Sequence, residues 1–425
     1  MSTSHAQATQ GAIYIRGAGG ETPIVPTSFD ALEALAQQSM SEQAFAYIAG
    51  GAGEQSTLSA NRASLEHFQI APTMLRDVGQ RDLSTTFLGR SLPHPLMLCP
   101  IGVLEMADRQ ADLAVGRAAA QCAVPYIFSN QASVPMETVA HAMGDGLRYF
   151  QLYWSQSDEL VVSLVQRAEA CGCQAIVVTL DTTQLGWRTR DLNLAYLPFL
   201  HGKGIAQYTS DPVFRRLMQQ PVEPGSAKPP LGLKAIQTLL KAARAYPGST
   251  WAALRSGDAL KAVRTFVNIY SRPTLTWDDL GFLREHTRLP IVLKGIQRTD
   301  DARRAVDAGM DGIFVSNHGG RQVDGAVGSA QALARIAEAV GGQIDIGFDS
   351  GVRAGADVVK AIALGAQVVG IGRPYCYALA VAGQAGVACL LNHWLADVEL
   401  TMGLSGIARL QELNRACLID GKNDE

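Results

Sequence analysis

Eight short apolar runs, the helical patterns that separate them, and the lack of strict alternation inside the runs predict a (β/α)8 barrel. The runs read PLMLC (95–99), PYIF (125–128), YFQLY (149–153), AIVVTL (175–180), PIVLK (290–294), GIFV (312–315), IDIGF (344–348) and VVGI (368–371). Strands that are apolar without a break are covered on both faces, as in a parallel sheet. The segments between them follow helix grammar. Residues 157–172 open on Ser, keep apolar residues at helical spacing and stop on Gly, and 299–309 and 356–365 repeat the pattern. The competing arrangement is a doubly wound open sheet. Eight units with no GxGxxG fingerprint after the first strand favour the closed barrel.

The elements in chain order fit that frame. Residues 1–26, with Gly17-Ala-Gly-Gly20, read as a flexible leader. Residues 27–60 read as helices, and 27–425 as one barrel domain. Gly50-Gly-Ala-Gly53 follows a helical pattern rather than a strand, so it reads as a helix stop and turn instead of a phosphate loop. The interval from Asp181 to Pro290 is out of proportion to the others. It predicts a lid insertion over residues 189–280, loop-like at 221–230.

Composition narrows the function. The chain has 425 residues, 47% hydrophobic and 18% charged, with a formal net charge of -3. That balance offers nothing to nucleic acid or an anionic membrane. No run reaches the ~18 continuous apolar residues of a membrane span, and the first residues lack a signal-peptide core, so a cytoplasmic location is expected. The seven cysteines are scattered and odd in number, and Cys171-Gly-Cys173 has no second pair at metal-ligand spacing. They read as reduced, buried small hydrophobes.

Reactive residues of a barrel gather at the carboxyl ends of its strands. Here those ends carry Pro100-Ile101-Gly102, then Ser129-Asn130-Gln131, then Gln151 and Tyr153, then Thr179-Leu180-Asp181 with Arg188 beyond. Lys294 ends the fifth strand, Ser316, His318 and Arg321 follow the sixth, Asp349, Gly351 and Arg353 the seventh, and Gly372 and Arg373 the eighth. The loops after strands seven and eight are the usual phosphate site of the fold, and their glycines and arginines suit a phosphorylated ligand. His318 is the only histidine at a strand end, so no metal is expected. Arginines in this setting suit a carboxylate substrate. Lys294 suits a ligand that turns anionic during reaction; a Schiff-base role, as in an aldolase, is the alternative.

SNHGGRQ (316–322), YFQLY, TLDT (179–182), LKGI (293–296), FDSGVR (348–353) and GIGRP (370–374) fall in barrel order. With them, the chain from Phe29 to Gly421 resembles the FMN-dependent L-2-hydroxy acid oxidising enzymes, such as glycolate oxidase and lactate oxidase. PIGV, LGWRTRDL and LPFLHGKGIAQYTSDPVF look closest to lactate 2-monooxygenase. The resemblance implies His318 as the base that takes the substrate proton, with Asp181 supporting the imidazolium. It implies that Arg321, Arg188 and Tyr47 grip the carboxylate and that Tyr153 bonds near the hydroxyl. Lys294 would stabilise the reduced flavin. Ser129, Gln151, Thr179 and Ser316 would contact FMN, with Pro100, Ile101 and Gly102 against its ring. Asp349, Gly351, Arg353, Gly372 and Arg373 would hold the ribityl phosphate. A homo-oligomer, tetramer or octamer, is also implied.

Two features separate this chain from the simple oxidases it resembles: Gln131, where relatives often carry an aromatic or large apolar side chain, and a longer lid. Gln131 is taken as a substrate contact. The reading that follows is oxidation of a short L-2-hydroxy acid with O2, of the lactate 2-monooxygenase type, to acetate, CO2 and water. An oxidase that releases keto acid and hydrogen peroxide from a different hydroxy acid is the runner-up. A non-redox, phosphate-binding aldolase barrel using Lys294 is the third.

Overall fold

A computed structural model describes residues 4–220 and 232–421. Eight parallel strands close on themselves: β1 Leu96–Leu98, β2 Tyr126–Phe128, β3 Arg148–Leu152, β4 Ile176–Thr179, β5 Ile291–Ile296, β6 Gly312–Val315, β7 Asp345–Phe348 and β8 Val368–Ile371. Each pairs with the next, and β8 returns to β1 with Val369 beside Leu96 and Ile371 beside Leu98. The predicted barrel is therefore the observed one. Lys294, expected at the end of strand five, lies inside β5. The ladder to β6 slips between Lys294 and Ile296, where Gly295 has φ 107°. Such a bulge re-aims the neighbouring side chain.

Successive residues of a strand enter two different cores. Leu96 and Leu98 face the surrounding helices, as do Tyr126 and Phe128, Ile176 and Val178, and Ile313 and Val315. Met97, Ile127, Val177, Val292 and Phe314 point into the barrel. Both sides are apolar, so the alternation is invisible in composition. A hairpin, Thr85–Phe87 with Arg90–Leu92, adds Phe87 and Leu92 to the inner core. Leu88 N–H donates to the Asp345 carboxylate at the start of β7, which places the hairpin at the amino ends of the strands. Phe87 meets Phe314 and Tyr149 edge-on, with ring centroids 6.1 and 6.5 Å apart. That end is plugged, which leaves the carboxyl ends for a cavity.

Four helices precede the barrel: α1 His5–Ala18, α2 Phe29–Ser39, α3 Glu42–Ala49 and α4 Ser56–His67. α1 corrects the expectation of a flexible leader. Ser4 caps it by accepting from Gln7 N–H, and Ala6 N–H donates to Glu399 Oε2 at 2.8 Å. The leader's glycines sit at or past the C-terminal end of the helix (Gly17, Gly19, Gly20) or on its face (Gly11), where Ala- and Gln-rich neighbours carry the turn. As read, residues after Ala49 form a helix stop, with Gly50 as its cap.

The helix Arg373–Leu404 is long and apolar enough to cross a bilayer by length and composition, but 61% of its most apolar window is buried inside the fold. Its backbone leaves helical angles at Ala382 and Gly383. It packs against α1, α2 and the helices Ala111–Gln121 and Gly355–Ala363, so its apolarity serves a core on several sides.

Between β4 and β5 the chain folds as short helices, among them Ala206–Thr209, Pro212–Leu217, Leu233–Ala245, Thr250–Ser256 and Asp258–Ile269. Residues 221–230, read as loop, lie outside the described residues. The insertion is anchored at the carboxyl ends of the first strands. Ala206 N–H donates to Ala132 O, Lys203 pairs with Glu105 at 3.1 Å, and Ser155 Oγ donates to Ile269 O at 2.7 Å. Phe266 holds it together, with ring contacts of 5.1, 4.8 and 5.2 Å to Phe199, Tyr208 and Tyr270.

Because Phe87 is 1% exposed in the plug, Phe87→Ala should cost ~3–5 kcal/mol in denaturant unfolding. Ligand affinity at the opposite end should be unchanged in the variant while it is folded.

Candidate active site

The carboxyl ends of the strands surround a cavity of about 280 Å³. His318 stands on its wall because of an uncommon backbone. His318, Gly319 and Gly320 have φ of 59°, 64° and 72°, three consecutive left-handed residues. Glycine adopts that region freely; for a residue with a Cβ it costs about 1–2 kcal/mol. A Cβ on Gly319 would also lie 2.7 Å from Arg373 Nη1. These two requirements explain the paired glycines after the histidine.

Hydrogen bonds hold the turn. Ser350 Oγ accepts from the N–H groups of Asn317 (3.2 Å) and Gly319 (3.0 Å), and Ser316 Oγ accepts from His318 N–H. Asn317 Oδ1 accepts from Gly320 N–H, and the Asn317 amide pairs reciprocally with Asn61 on α4, at 2.9 and 2.6 Å. Both asparagines are buried. Further along, Asp324 caps the start of α4 by accepting from the N–H groups of Glu54 and Ser56, and Gly320 O accepts from Ala52 N–H.

His318 Nδ1 and Asp181 Oδ1 are 2.9 Å apart. Burial pushes the imidazole below its ordinary value, against the pull of the neighbouring carboxylate. Burial would raise Asp181, but His318 and Lys294 outweigh it and hold the carboxyl below its usual range. At neutral pH the pair is a neutral imidazole beside a carboxylate, which leaves Nε2 to accept a proton. Asp181 Oδ2 is buried without a partner.

Lys294 is 4% exposed, and its Nζ lies 2.7 Å from both Asp349 Oδ2 and Ser316 Oγ. Burial alone would lower the ammonium; Asp349 reverses that and holds it above its ordinary value. A lysine held in an ion pair is a poor Schiff-base nucleophile, which counts against the aldolase alternative. Asp349, read with the phosphate ligands, is instead the counter-ion of this lysine and accepts from Cys99 Sγ and Ser350 Oγ. A carboxylate repels a phosphate, so its side chain suits an uncharged part of a ligand.

Four arginines line the cavity without a carboxylate within 4 Å among the described residues: Arg188, Arg321, Arg353 and Arg373. Arg321 donates to Tyr47 O and Gly50 O, and Arg373 donates to Ile48 O, Gly50 O and Gly319 O. The last carbonyls of α3 and its stop are thus the partners of two cations, the favourable sign for a helix C-terminus. Arg188 donates to Gln322 Oε1, and Arg353 lies 4.3 Å over the Phe29 ring. Burial and Arg188 push Arg321 down to about 9, still cationic at neutral pH. The Tyr47 ring lies between Arg321 and Arg188, 5.0 and 6.0 Å from their guanidinium carbons. Cations that are half-buried or, for Arg188, buried, and paired only with dipoles, make an anion-binding wall.

The cavity wall also includes the predicted Pro100, Ile101, Gly102, Gln131, Tyr153, Gly351 and Gly372. Burial and Asp181 push the Tyr153 phenol up to about 12. Ser129, Gln151, Thr179 and Ser316 are buried at the same ends of the barrel and are not among the residues that line the cavity. Ser129 donates to Gln151 Oε1, while Thr179 Oγ1 is buried with no partner. Sequence reading missed Asn61, the Gly50 carbonyl and the insertion's Leu197, Phe199 and Phe266. Asn61 carries no signal in one sequence; the turn 50–53 did, in a run of glycines assigned only to stopping a helix.

Residues 36–420 match the FMN-dependent dehydrogenase family. The chain is 40% identical over 396 residues to an FMN-dependent alpha-hydroxy acid dehydrogenase of Penicillium citrinum, covering 93% of this chain and 91% of that one. It is 36% identical to an L-lactate oxidase of Lysinibacillus sphaericus, over 98% of each chain. It is 38% identical to a 4-hydroxymandelate oxidase of Amycolatopsis orientalis, over 88% of this chain and 93% of that one. A crystal structure of mandelate oxidase with (S)-4-hydroxymandelic acid superposes with a TM-score of 0.76 at 35% identity, over 93% of this chain and 98% of that one.

His318 should titrate below 6.5 by NMR of the labelled imidazole. Asp181→Asn should lower it further, because the anion that favours the imidazolium is gone. An upward shift in that variant would contradict the pairing.

Proposed function

We infer the reaction from one premise: this chain belongs to the FMN-dependent dehydrogenase family. It is an FMN-dependent oxidoreductase of 2-hydroxy acids. The cavity fits that cofactor. A buried ammonium at Lys294, an unpartnered hydroxyl at Thr179 and the unpaired Arg353 are the donors that a polar ring edge and a phosphate need. Lys294, Thr179, Ser129, Gln151 and Ser316 would hold the ring edge, and the backbone of Pro100 to Gly102 its face. Gly351, Arg353, Gly372 and Arg373 would hold the phosphate, and Asp349 the ribityl chain. Bound FMN supplies the acceptor for two electrons from the substrate's C2.

The rest falls to the chain's own side chains. Arg188 and Arg321, with Tyr47, would fix the substrate carboxylate by charge-assisted hydrogen bonds. Tyr153 would bond the hydroxyl. His318 Nε2 would take the hydroxyl proton, since Nδ1 is engaged by Asp181, and the carboxylate would stabilise the imidazolium that forms.

We propose that the complete reaction is of the lactate 2-monooxygenase type, on a short L-2-hydroxy acid. The supporting observation is enclosure: Leu197, Phe199, Phe266 and Tyr270 of the 189–280 region line the same cavity as His318, as a lid would. A lid that slows escape keeps the 2-keto acid and hydrogen peroxide together. They then react to the acid one carbon shorter, CO2 and water. Gly102, which would leave no side chain beside the ring, also supports this reading. The same aromatic wall favours a second reading, an oxidase that releases peroxide from a larger acid. Relatives named for 4-hydroxymandelate and mandelate give it weight.

Incubation with L-lactate and O2 should yield acetate; stoichiometric pyruvate plus peroxide would select the second reading. His318→Gln should slow anaerobic flavin reduction by ~10²–10⁴-fold while FMN stays bound. Reduction near the native rate would remove His318 as the base.

A further inference from the structure

Gln131 is 9% exposed and lines the cavity, yet its side-chain amide has no hydrogen-bond partner among the described residues. Its backbone is fixed on both sides. The N–H donates to Ser129 Oγ at 3.1 Å, and the carbonyl accepts from Val103 N–H at 2.9 Å. The side chain therefore has a locked base and a free head. The amide opens onto the cavity rather than into packed protein, so water or a ligand is what serves it.

Gly102 is what admits this side chain. A Cβ there would lie 2.9 Å from Gln131 Cβ, 3.1 Å from its carbonyl oxygen and 3.4 Å from Oε1. Phe199 is close on the other side. A Cβ built on Gly204 would meet both the Gln131 carbonyl, at 3.1 Å, and Phe199, at 3.2 Å. Gln131 thus puts one polar head on an otherwise apolar stretch of wall.

We propose that Gln131 selects L-2-hydroxy acids whose side chain carries an uncharged hydrogen-bonding group on C3, such as the hydroxyl of a hydroxymethyl side chain. This rests on the site assignment above. Three substituents of C2 are taken there: the hydroxyl by His318, the carboxylate by Arg188 and Arg321, and the hydrogen by the acceptor. The side chain is left to the wall of Gln131, Leu197 and Phe199. A second carboxylate is disfavoured, because the amide has no charge to offer and nearby Lys203 is already paired with Glu105. A site that hydrogen-bonds a substrate group discriminates strongly against the analogue lacking it, while an apolar pocket discriminates weakly.

L-Glycerate and L-2-hydroxybutyrate differ by a hydroxyl against a methyl at nearly equal size, and L-malate adds the charge. In anaerobic flavin reduction by the native holoenzyme, glycerate should exceed 2-hydroxybutyrate in kcat/KM by about tenfold or more, with malate the poorest. Gln131→Leu should reverse the order of the first two. Gly102→Ala should cut the preference by crowding Gln131, and should do nothing further to it in a Gln131→Ala background. Calorimetric binding of hydroxypyruvate and 2-oxobutyrate should show the same preference and the same reversal. A native preference below twofold in both assays, or one that survives Gln131→Leu, overturns the proposal. If Gln131→Leu does not fold, the Gly102→Ala result decides. If none of the three acids reduces the flavin, the site assignment falls, and the keto-acid binding still decides whether Gln131 selects.

Discussion

The site depends on one strained turn and on what pins it. His318 occupies a left-handed backbone conformation that a side chain disfavours, and neighbouring bonds over-determine it. The reciprocal Asn61–Asn317 amide pair comes from α4, outside the barrel, as does the helix start that Asp324 caps. The helices before the barrel are therefore part of the active site's frame. Without them the loop after β6 would keep its residues but lose the direction in which the imidazole points.

A second constraint is electrostatic. Five arginines and a lysine line the cavity; Arg62 and the lysine are paired with carboxylates, and the other four arginines have none among the described residues. Those four rest on carbonyl oxygens, amides and aromatic faces. Dipoles of that kind hold a cation in place without neutralising it, which leaves its attraction for an anionic ligand intact. Lys294 is treated the other way, neutralised and locked, so its charge is fixed in place rather than free to seek a partner. The contrast separates groups that receive ligands from one that tunes their surroundings.

Much of this was legible in the sequence, for physical reasons that differ by feature. The strands were visible because both faces of each are apolar, and their ends followed because polar residues interrupt those runs. The histidine, its acid and the arginines could be placed at the rim once the strand order was known. The bulge at Gly295 was not legible, since one extra residue in a ladder leaves no trace in composition. Nor was the fold of residues 5–18, whose anchor to Glu399 lies almost four hundred residues away. Asp349 was grouped with the phosphate contacts because of its chain position after β7; its ion pair with Lys294, from two strands away, was not legible.

The Asn61–Asn317 bond also sets a timetable. It closes a loop of 256 residues, so α4 leaves the ribosome long before the segment it must hold. Contacts of such separation form late, because the entropy of closing the loop precedes any reward from it. Most of the barrel can assemble first, from neighbouring strands and helices. The base then acquires its geometry as one of the last events of folding, when the two distant pieces of chain meet.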